Sequence, residues 1–253
     1  MDFVKENFLI LVLVVLIMAL FSFVALFFVS APYGKFIRTG WGKTIPARYA
    51  WLIMESPSCL LMFWYFIQGE SWQYPLLIVF LILWQIHYFH RTFIYPFTIS
   101  SPKKPFPVLL VLFAIIFNLI NGSLNGYEIF IQANYPEYWF YSAPFLIGLT
   151  LFILGYYINK NSDSILRKLK DKDSAEYKIP DGGMFRFISC PHYFGEMLEW
   201  LGWAILTWSI AGTAFFIFTF ANLAPRAWSS HNWYKTEFKN YPTNRRILFP
   251  FIW

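Results

Sequence analysis

PLLIVFLILWQIHYFHRTFI, residues 75–94, decides how this chain is read. A proline opens an apolar run, and the run closes on Trp84, Gln85, His87, Tyr88, His90 and Arg91. Roughly 20 apolar residues make a helix long enough to cross hydrocarbon. Two imidazoles, a phenol and a guanidinium cannot all face lipid, where unsatisfied polar groups are costly. They must face other helices, a cavity or the interface. On a helix, Trp84, His87, Tyr88 and Arg91 share one face at spacings of three and four.

The preceding apolar segment carries a second anomaly, Glu55, in Ala50-Trp51-Leu52-Ile53-Met54-Glu55. An ionised carboxylate is expensive in hydrocarbon, whereas a neutral carboxylic acid can donate a hydrogen bond to an oxygen that gains negative charge. The plainer reading is a structural hydrogen bond to a neighbouring helix. Pro57 lacks an amide hydrogen and leaves a carbonyl free, so it is expected to distort the helix and open a pocket. Tyr88 is the natural companion of Glu55, since a phenol donates a proton without bearing charge at neutral pH. His87 and His90 lack a third ligand at a known spacing, so no metal site is expected. A histidine here is either a hydrogen-bonding group near the interface or a catalyst.

Composition places the rest of the chain in the same setting. Of 253 residues, 58% are apolar, 23% aromatic and only 13% charged. Soluble domains carry about 25% charge, so a soluble protein is excluded. The run from Phe8 to Val29 exceeds a signal-peptide core of roughly 7–15 residues and reads as a first span. Cys59 and Cys190 have no metal-ligand spacing. Further spans are expected at about 49–67, 74–94, 106–130 and 141–158. The block 194–228 is too long for one crossing; Thr207-Trp208-Ser209-Ile210-Ala211-Gly212 offers a hairpin that makes it spans six and seven. From Ser229 onward the chain reads as a polar, basic tail.

Charge placement supports that count. Of twenty Lys and Arg residues, all but Lys5 fall in the first loop, at the end of span three with the loop after it, in 159–190, or near the C-terminus. The turns near 70, 137 and 210 carry none. Seven spans put the basic regions on one side, which the positive-inside rule makes cytoplasmic, with the N-terminus outside. The net charge of +6 therefore reports orientation rather than nucleic-acid binding.

The segment 159–190 holds seven basic and five acidic residues. Asn159, Asp163, Arg167 and Lys170 fall on one helix face, which can grip a polyphosphate or a dinucleotide; a plain basic rim is the alternative. His192, Glu196 and Glu199 follow at spacings of three and four. Neither a dinucleotide-binding glycine fingerprint nor a phosphate-binding P-loop occurs. A nucleotide would be held by the helices and their loops.

These passages resemble the steroid 5-alpha-reductase (3-oxo-5-alpha-steroid 4-dehydrogenase) family: ESPS at 55–58, HYFHRTFIYPF at 87–97, GYYINKNSDSILRKLK at 155–170, YKIPDGGMFRFIS at 177–189, FGEMLEWLGWAILTWS at 194–209 and YPTNRRILFPFIW at 241–253. The likeness runs over nearly the whole chain. It implies an all-α, seven-helix membrane enzyme of one domain, 1–253, with its cofactor-binding half at about 155–253, and a bacterial-type homologue. It implies NADPH-dependent reduction of the 4,5 double bond of 3-oxo-4-ene steroids that reach the site from the bilayer. Glu55 and Tyr88 match the pair that holds the 3-keto oxygen. Asn159, Asp163, Lys170, Glu196, Trp200 and Tyr234 match cofactor positions; Arg91, Lys104, Arg167, Lys178, His192, Arg226 and Arg245 fall on the motifs with cofactor or supporting roles. Trp51, Trp84 and Phe216 are the expected pocket walls. Lys170 and Lys178 stand where the family pattern has arginine, His192 where it has asparagine, and Ser230 where it has histidine. Lysine keeps the charge but loses the bidentate fork. The bacterial inner membrane and the endoplasmic reticulum are the two expected locations. The competing readings are a reductase of another enone, polyprenoid or enoyl lipid, and a membrane lipid methyltransferase using S-adenosylmethionine, in which Glu55 and Tyr88 would have no clear task. A transporter should show repeated halves, and none is seen.

Overall fold

The computed structural model describes residues 1–99, 101–169 and 177–253; Lys170, an expected cofactor residue, lies outside them. The helices are α1 (Asp2–Glu6), α2 (Phe8–Phe28), α3 (Ala47–Gln68), α4 (Pro75–Phe89), α5 (Tyr95–Thr98), α6 (Val108–Tyr127), α7 (Ala143–Leu169), α8 (Pro191–Thr207) and α9 (Ile210–Glu237). π-helical turns, His90–Ile94 and Glu128–Gln132, extend α4 and α6. Among the described residues, six helical stretches are long and apolar enough to cross a membrane: Phe8–Phe28, Ala47–Gln68, Pro75–Thr98, Val108–Gln132, Ala143–Leu169 and Ile210–Glu237. The protein is thus an all-α polytopic membrane protein with about six apolar spans. The block expected to hold spans six and seven does fold as two helices, but α8, at 17 residues, falls short of that group.

Local chemistry explains the boundaries. Pro75 and Pro191 open α4 and α8, where a missing amide hydrogen costs nothing. Trp208 takes a left-handed conformation at φ +49° and turns the chain between α8 and α9. Ser209 Oγ then accepts from the Gly212 amide at 3.0 Å, and the Glu128 carboxylate accepts from the amides of Ile210 and Ala211 at 2.9 and 2.7 Å. A carboxylate there satisfies orphan amides and suits the positive end of the helix. α9 runs on to Glu237, so the expected polar tail from Ser229 begins as helix; no breaker interrupts the pattern before Pro242. Pro57 does not break α3 either. The carbonyl it frees, that of Ile53, accepts from Ser56 Oγ at 3.0 Å.

A short antiparallel ribbon joins the first loop to the third: β1 (Thr44–Pro46) pairs with β2 (Pro105–Pro107). The Ala47 and Arg48 amides donate to the carbonyls of Lys104 and Pro102. These two basic loops therefore share one end of the bundle.

Without water to drive association, membrane helices rely on close packing and internal hydrogen bonds. The antiparallel α7–α8 pair shows the first. A Cβ on Gly155 would strike the Glu199 amide nitrogen and sit 2.6 Å from the Gly195 carbonyl oxygen. One on Gly202 would strike the Phe152 amide and sit 2.6 Å from the Gly148 oxygen. Trp84, Trp200 and Trp203 fill the centre, each essentially without exposed surface. Two of the indoles are tethered by polar partners: Trp84 Nε1 donates to the Ser58 carbonyl at 3.1 Å and Trp203 Nε1 to Asn125 Oδ1 at 2.9 Å.

Candidate active site

α3 presents Trp51, Met54, Glu55 and Ser58 along one face, one turn apart. Opposite them stands Asn118 of α6. Its Nδ2 donates to the Met54 carbonyl at 2.6 Å and to Glu55 Oε2 at 3.3 Å, while its Oδ1 accepts from Ser58 Oγ at 3.0 Å. Asn118 thereby fixes the Glu55 carboxyl from behind. No reading of the sequence assigns it a role.

Arg91 lies in the π-helical turn after α4. Its Nε donates to Glu55 Oε1 at 3.2 Å, its Nη1 lies 3.6 Å from Glu196 Oε2 on α8, and its guanidinium sits 4.7 Å above the Trp51 ring. One cation therefore stands between two carboxyl groups, joining α3, α4 and α8. Tyr88 stacks on Trp84 at 4.8 Å, with Trp200 at 5.7 Å.

Glu55, Tyr88, Arg91, His87, Glu196 and Trp200 face one cavity of about 490 Å³, whose other walls are mostly apolar side chains of α2, α6 and α9. That volume suits a small polycyclic molecule. Trp51 lines the cavity. Trp84 does not: it packs behind Tyr88. Phe216 also misses the cavity, and its helix neighbours Phe215 and Phe218 line it instead. The first half of α9, where Phe216 lies, is apolar on nearly every side, so the sequence does not reveal its rotational phase.

A second cavity, of about 320 Å³, lies beside the β-ribbon and shares Tyr33, Trp51 and Phe106 with the first. Lys104, Asp163, Arg167, Lys178, His192 and Tyr234 of the expected cofactor residues line it, with Ser230, whereas Arg91, Glu196, Trp200 and Arg226 line the first cavity. Asn159 is buried next to it and donates from Nδ2 to the His192 carbonyl at 2.9 Å. Arg226 faces the first cavity and donates to Tyr33 Oη at 2.6 Å. Arg245 lines neither cavity; it fastens the 177–189 loop, donating to the Pro180 carbonyl at 2.7 Å and to Asp181 Oδ1 at 3.2 Å.

Lys35 was missed on the sequence, where it was one charge in a basic loop. Its ammonium lines the second cavity, 4.3 Å from the rings of both Trp233 and Tyr234. Burial pulls its pKa down to about 8, against a smaller upward pull from Cys190. Buried polar atoms also go unpaired here: Asn159 Oδ1, Arg167 Nη1 and His192 Nδ1 have no protein partner among the described residues. Orphaned donors and acceptors beside several cations and one carboxylate fit a polyphosphate that also carries ribose hydroxyls. No group of three His, Cys, Asp or Glu able to hold a metal occurs among the described residues.

A helix bundle that sets buried acidic groups in an apolar cavity, against a cationic second cavity, has the layout of a membrane-embedded enzyme. Comparison with known proteins narrows the class. Residues 104–253 match the family model described as 3-oxo-5-alpha-steroid 4-dehydrogenase. The chain is 44% identical over 245 residues to steroid 5-alpha-reductase DET2 of Arabidopsis thaliana, covering 91% of this chain and 90% of the relative. It is 39% identical to 3-oxo-5-alpha-steroid 4-dehydrogenase 1 of Rattus norvegicus, covering 93% and 91%, and 39% identical to 3-oxo-5-alpha-steroid 4-dehydrogenase 2 of Sus scrofa, covering 90% and 91%. The chain belongs to the steroid 5-alpha-reductase family and is an oxidoreductase of that type. These relatives are plant and mammalian and do not speak to the bacterial type expected from the sequence.

Proposed function

We propose that this protein reduces the 4,5 double bond of 3-oxo-4-ene steroids to 5-alpha-3-oxosteroids at the expense of NADPH. The observation that carries the reading is the meeting of Glu55 and Tyr88 in one apolar cavity that abuts a cationic one. Glu55 and Tyr88 hold the 3-keto oxygen and pull electron density from the conjugated double bond, which leaves C5 electrophilic. NADPH, when bound, supplies the hydride that C5 accepts. The same two donors then stabilise the enolate oxygen. Two carboxyls around the single Arg91 guanidinium are electrically balanced when one of them carries a proton, and that proton makes Glu55 a donor. The dry cavity admits the steroid from the bilayer and strengthens each hydrogen bond to the oxygen.

Lys35, Lys104, Arg167, Lys178 and Lys170 would hold the phosphates; Asn159, Asp163 and Tyr234 would meet the sugar and base. His192, Glu196 and Trp200 lie toward the reacting end, with Arg91 and Arg226 supporting. In the membrane, α8 is read as a seventh crossing, since 17 residues span about 25 Å. All basic loops then face the cytoplasm and the N-terminus lies outside, within a single domain whose cofactor half is about 155–253. The membrane is read as a bacterial inner membrane or the endoplasmic reticulum.

The direct test is NADPH oxidation by the detergent-purified protein with progesterone or testosterone, the product being identified by mass and stereochemistry. A 5-alpha-dihydro product is expected. NADPH binding without turnover on any 3-oxo-4-ene steroid would transfer the reading to another enone lipid.

Lys35 supplies a pH prediction. Its ammonium form prevails below about 8, so NADPH affinity should hold steady at lower pH and weaken as pH rises through that value. Lys35→Met should bind NADPH about tenfold more weakly at pH 7, in line with one lost charge-assisted hydrogen bond. Its affinity should also lose that pH dependence. Titration of NADPH fluorescence between pH 6.5 and 9.5 checks both.

A further inference from the structure

We propose that His87 and Glu199 form a proton-delivering pair that completes the reduction by protonating C4; the inference rests on the enone-reduction reading above. His87 precedes Tyr88 on α4, their rings lie 5.1 Å apart, and both line the first cavity. His87 Nδ1 is 2.9 Å from Glu199 Oε1. Glu199 is wholly buried on α8, and its Oε2 has no hydrogen-bond partner among the described residues. Trp200 packs across the imidazole at 4.6 Å and fixes its plane. With Nδ1 committed to Glu199, Nε2 is the ring nitrogen left for the cavity. A ketone oxygen bonded to Tyr88 has its neighbouring carbon only about 2.4 Å further on, by ordinary bond lengths. C4 therefore falls beside the group that adjoins Tyr88 on the same helix.

The step balances. At rest the Glu199 carboxyl is protonated and donates to Nδ1, and the imidazole carries its own proton on Nε2. Once C5 has taken hydride, the enolate's electron pair forms a C4–H bond with the Nε2 proton, and the C3 carbonyl double bond is restored. As Nε2–H breaks, the Glu199 proton passes to Nδ1. The imidazole stays neutral, and the negative charge moves from the enolate to Glu199. Lys160 faces that charge, and its ammonium acts on Glu199 across the α7–α8 contact. Lys160 Nζ also lies 3.1 Å from Nδ1 of His90, one turn beyond His87. Both side chains are only partly buried, so the proton that restores Glu199 is assigned to water arriving on their side.

The test follows hydrogen rather than hydride. Detergent-purified protein is incubated with NADP+ and a 5-alpha-3-oxosteroid in D2O, and deuterium at C4 is read by mass spectrometry and NMR. Wild type should wash deuterium into C4. His87→Phe should lose exchange and turnover about 10²-fold, the usual worth of a positioned proton donor. KM for the steroid and NADPH affinity should stay within about twofold of wild type, which a merely structural role would not leave untouched. Glu199→Gln keeps the shape and the contact to Nδ1 but has no proton to pass on, so it should fail in the same way even if His87→Phe does not fold. Wild type that reduces the enone without exchanging C4 would overturn the pair alone, as would variants that keep exchange. Wild type that reduces no 3-oxo-4-ene steroid would overturn the reading beneath it.

Discussion

Glu55→Gln should lower kcat on a 3-oxo-4-ene steroid by about 10²–10³-fold, the usual loss on removing one donor to a developing oxyanion. Glutamine has the same shape, so the cavity stays intact. Its chemistry is wrong on both sides. In the wild type one carboxyl oxygen accepts from Arg91 Nε and the other from Asn118 Nδ2. An amide offers one accepting oxygen and one donating nitrogen, so one of those contacts becomes donor against donor. Among the described residues, Arg91 then keeps one carboxylate within ion-pair distance, Glu196 at 3.6 Å. The amide is also a far weaker acid toward a ketone oxygen. NADPH should still bind, because the lining of the second cavity is untouched, and the melting temperature should fall by only a few degrees, the cost of the lost polar contacts between α3, Arg91 and α6. Turnover within fivefold of wild type would remove Glu55 from the mechanism.

The second large effect is expected on the fold. In Gly155→Val the added carbons meet the Glu199 amide and the Gly195 carbonyl, both backbone groups of α8 that no rotamer change can move. α7 and α8 must separate, and packing is lost along their whole contact. A cost of about 3 kcal/mol or more is expected, at the upper end for overpacked sites. At roughly 2–4 °C per kcal/mol for a chain of this size, melting should fall by about 6–12 °C. Asn159 and His192 are bonded across the same contact, so NADPH binding should fall with it. Leu154→Val is the control: Leu154 is exposed on the same helix, and melting should shift by less than about 2 °C. Equal melting of the two variants would show that the close contact carries no stability.

Much of this was legible in the residues. The spans were, because a bilayer accepts little besides continuous apolar helix. Glu55, Tyr88 and Arg91 stood out because ionisable groups in such a run need partners. What the residues hid was distance and phase. Asn118 is 63 positions from Glu55, and nothing local ties the two. Lys35 looked like any loop lysine until α9 ran on to Glu237 and brought Trp233 and Tyr234 against it. Phe216 was one residue out of register because a helix apolar all round has no readable inner face. Arg245, expected in a cofactor or supporting role, clasps the 177–189 loop, a contact between segments far apart in sequence.

The β1–β2 ribbon has one more consequence. Ile45 opposite Phe106, and Pro46 opposite Pro105, give α3 and α6 a common zero mark at the membrane surface. From there Glu55 lies about 13 Å along one helix and Asn118 about 16 Å along the other, at 1.5 Å per residue. The two helices thus work as paired rulers, and the depth of the acid in the hydrocarbon is metered from outside it. Inserting one residue between Pro46 and Glu55 would leave every side chain of the pocket in the chain, yet swing the carboxyl by about 100° around α3 and out of alignment with Asn118.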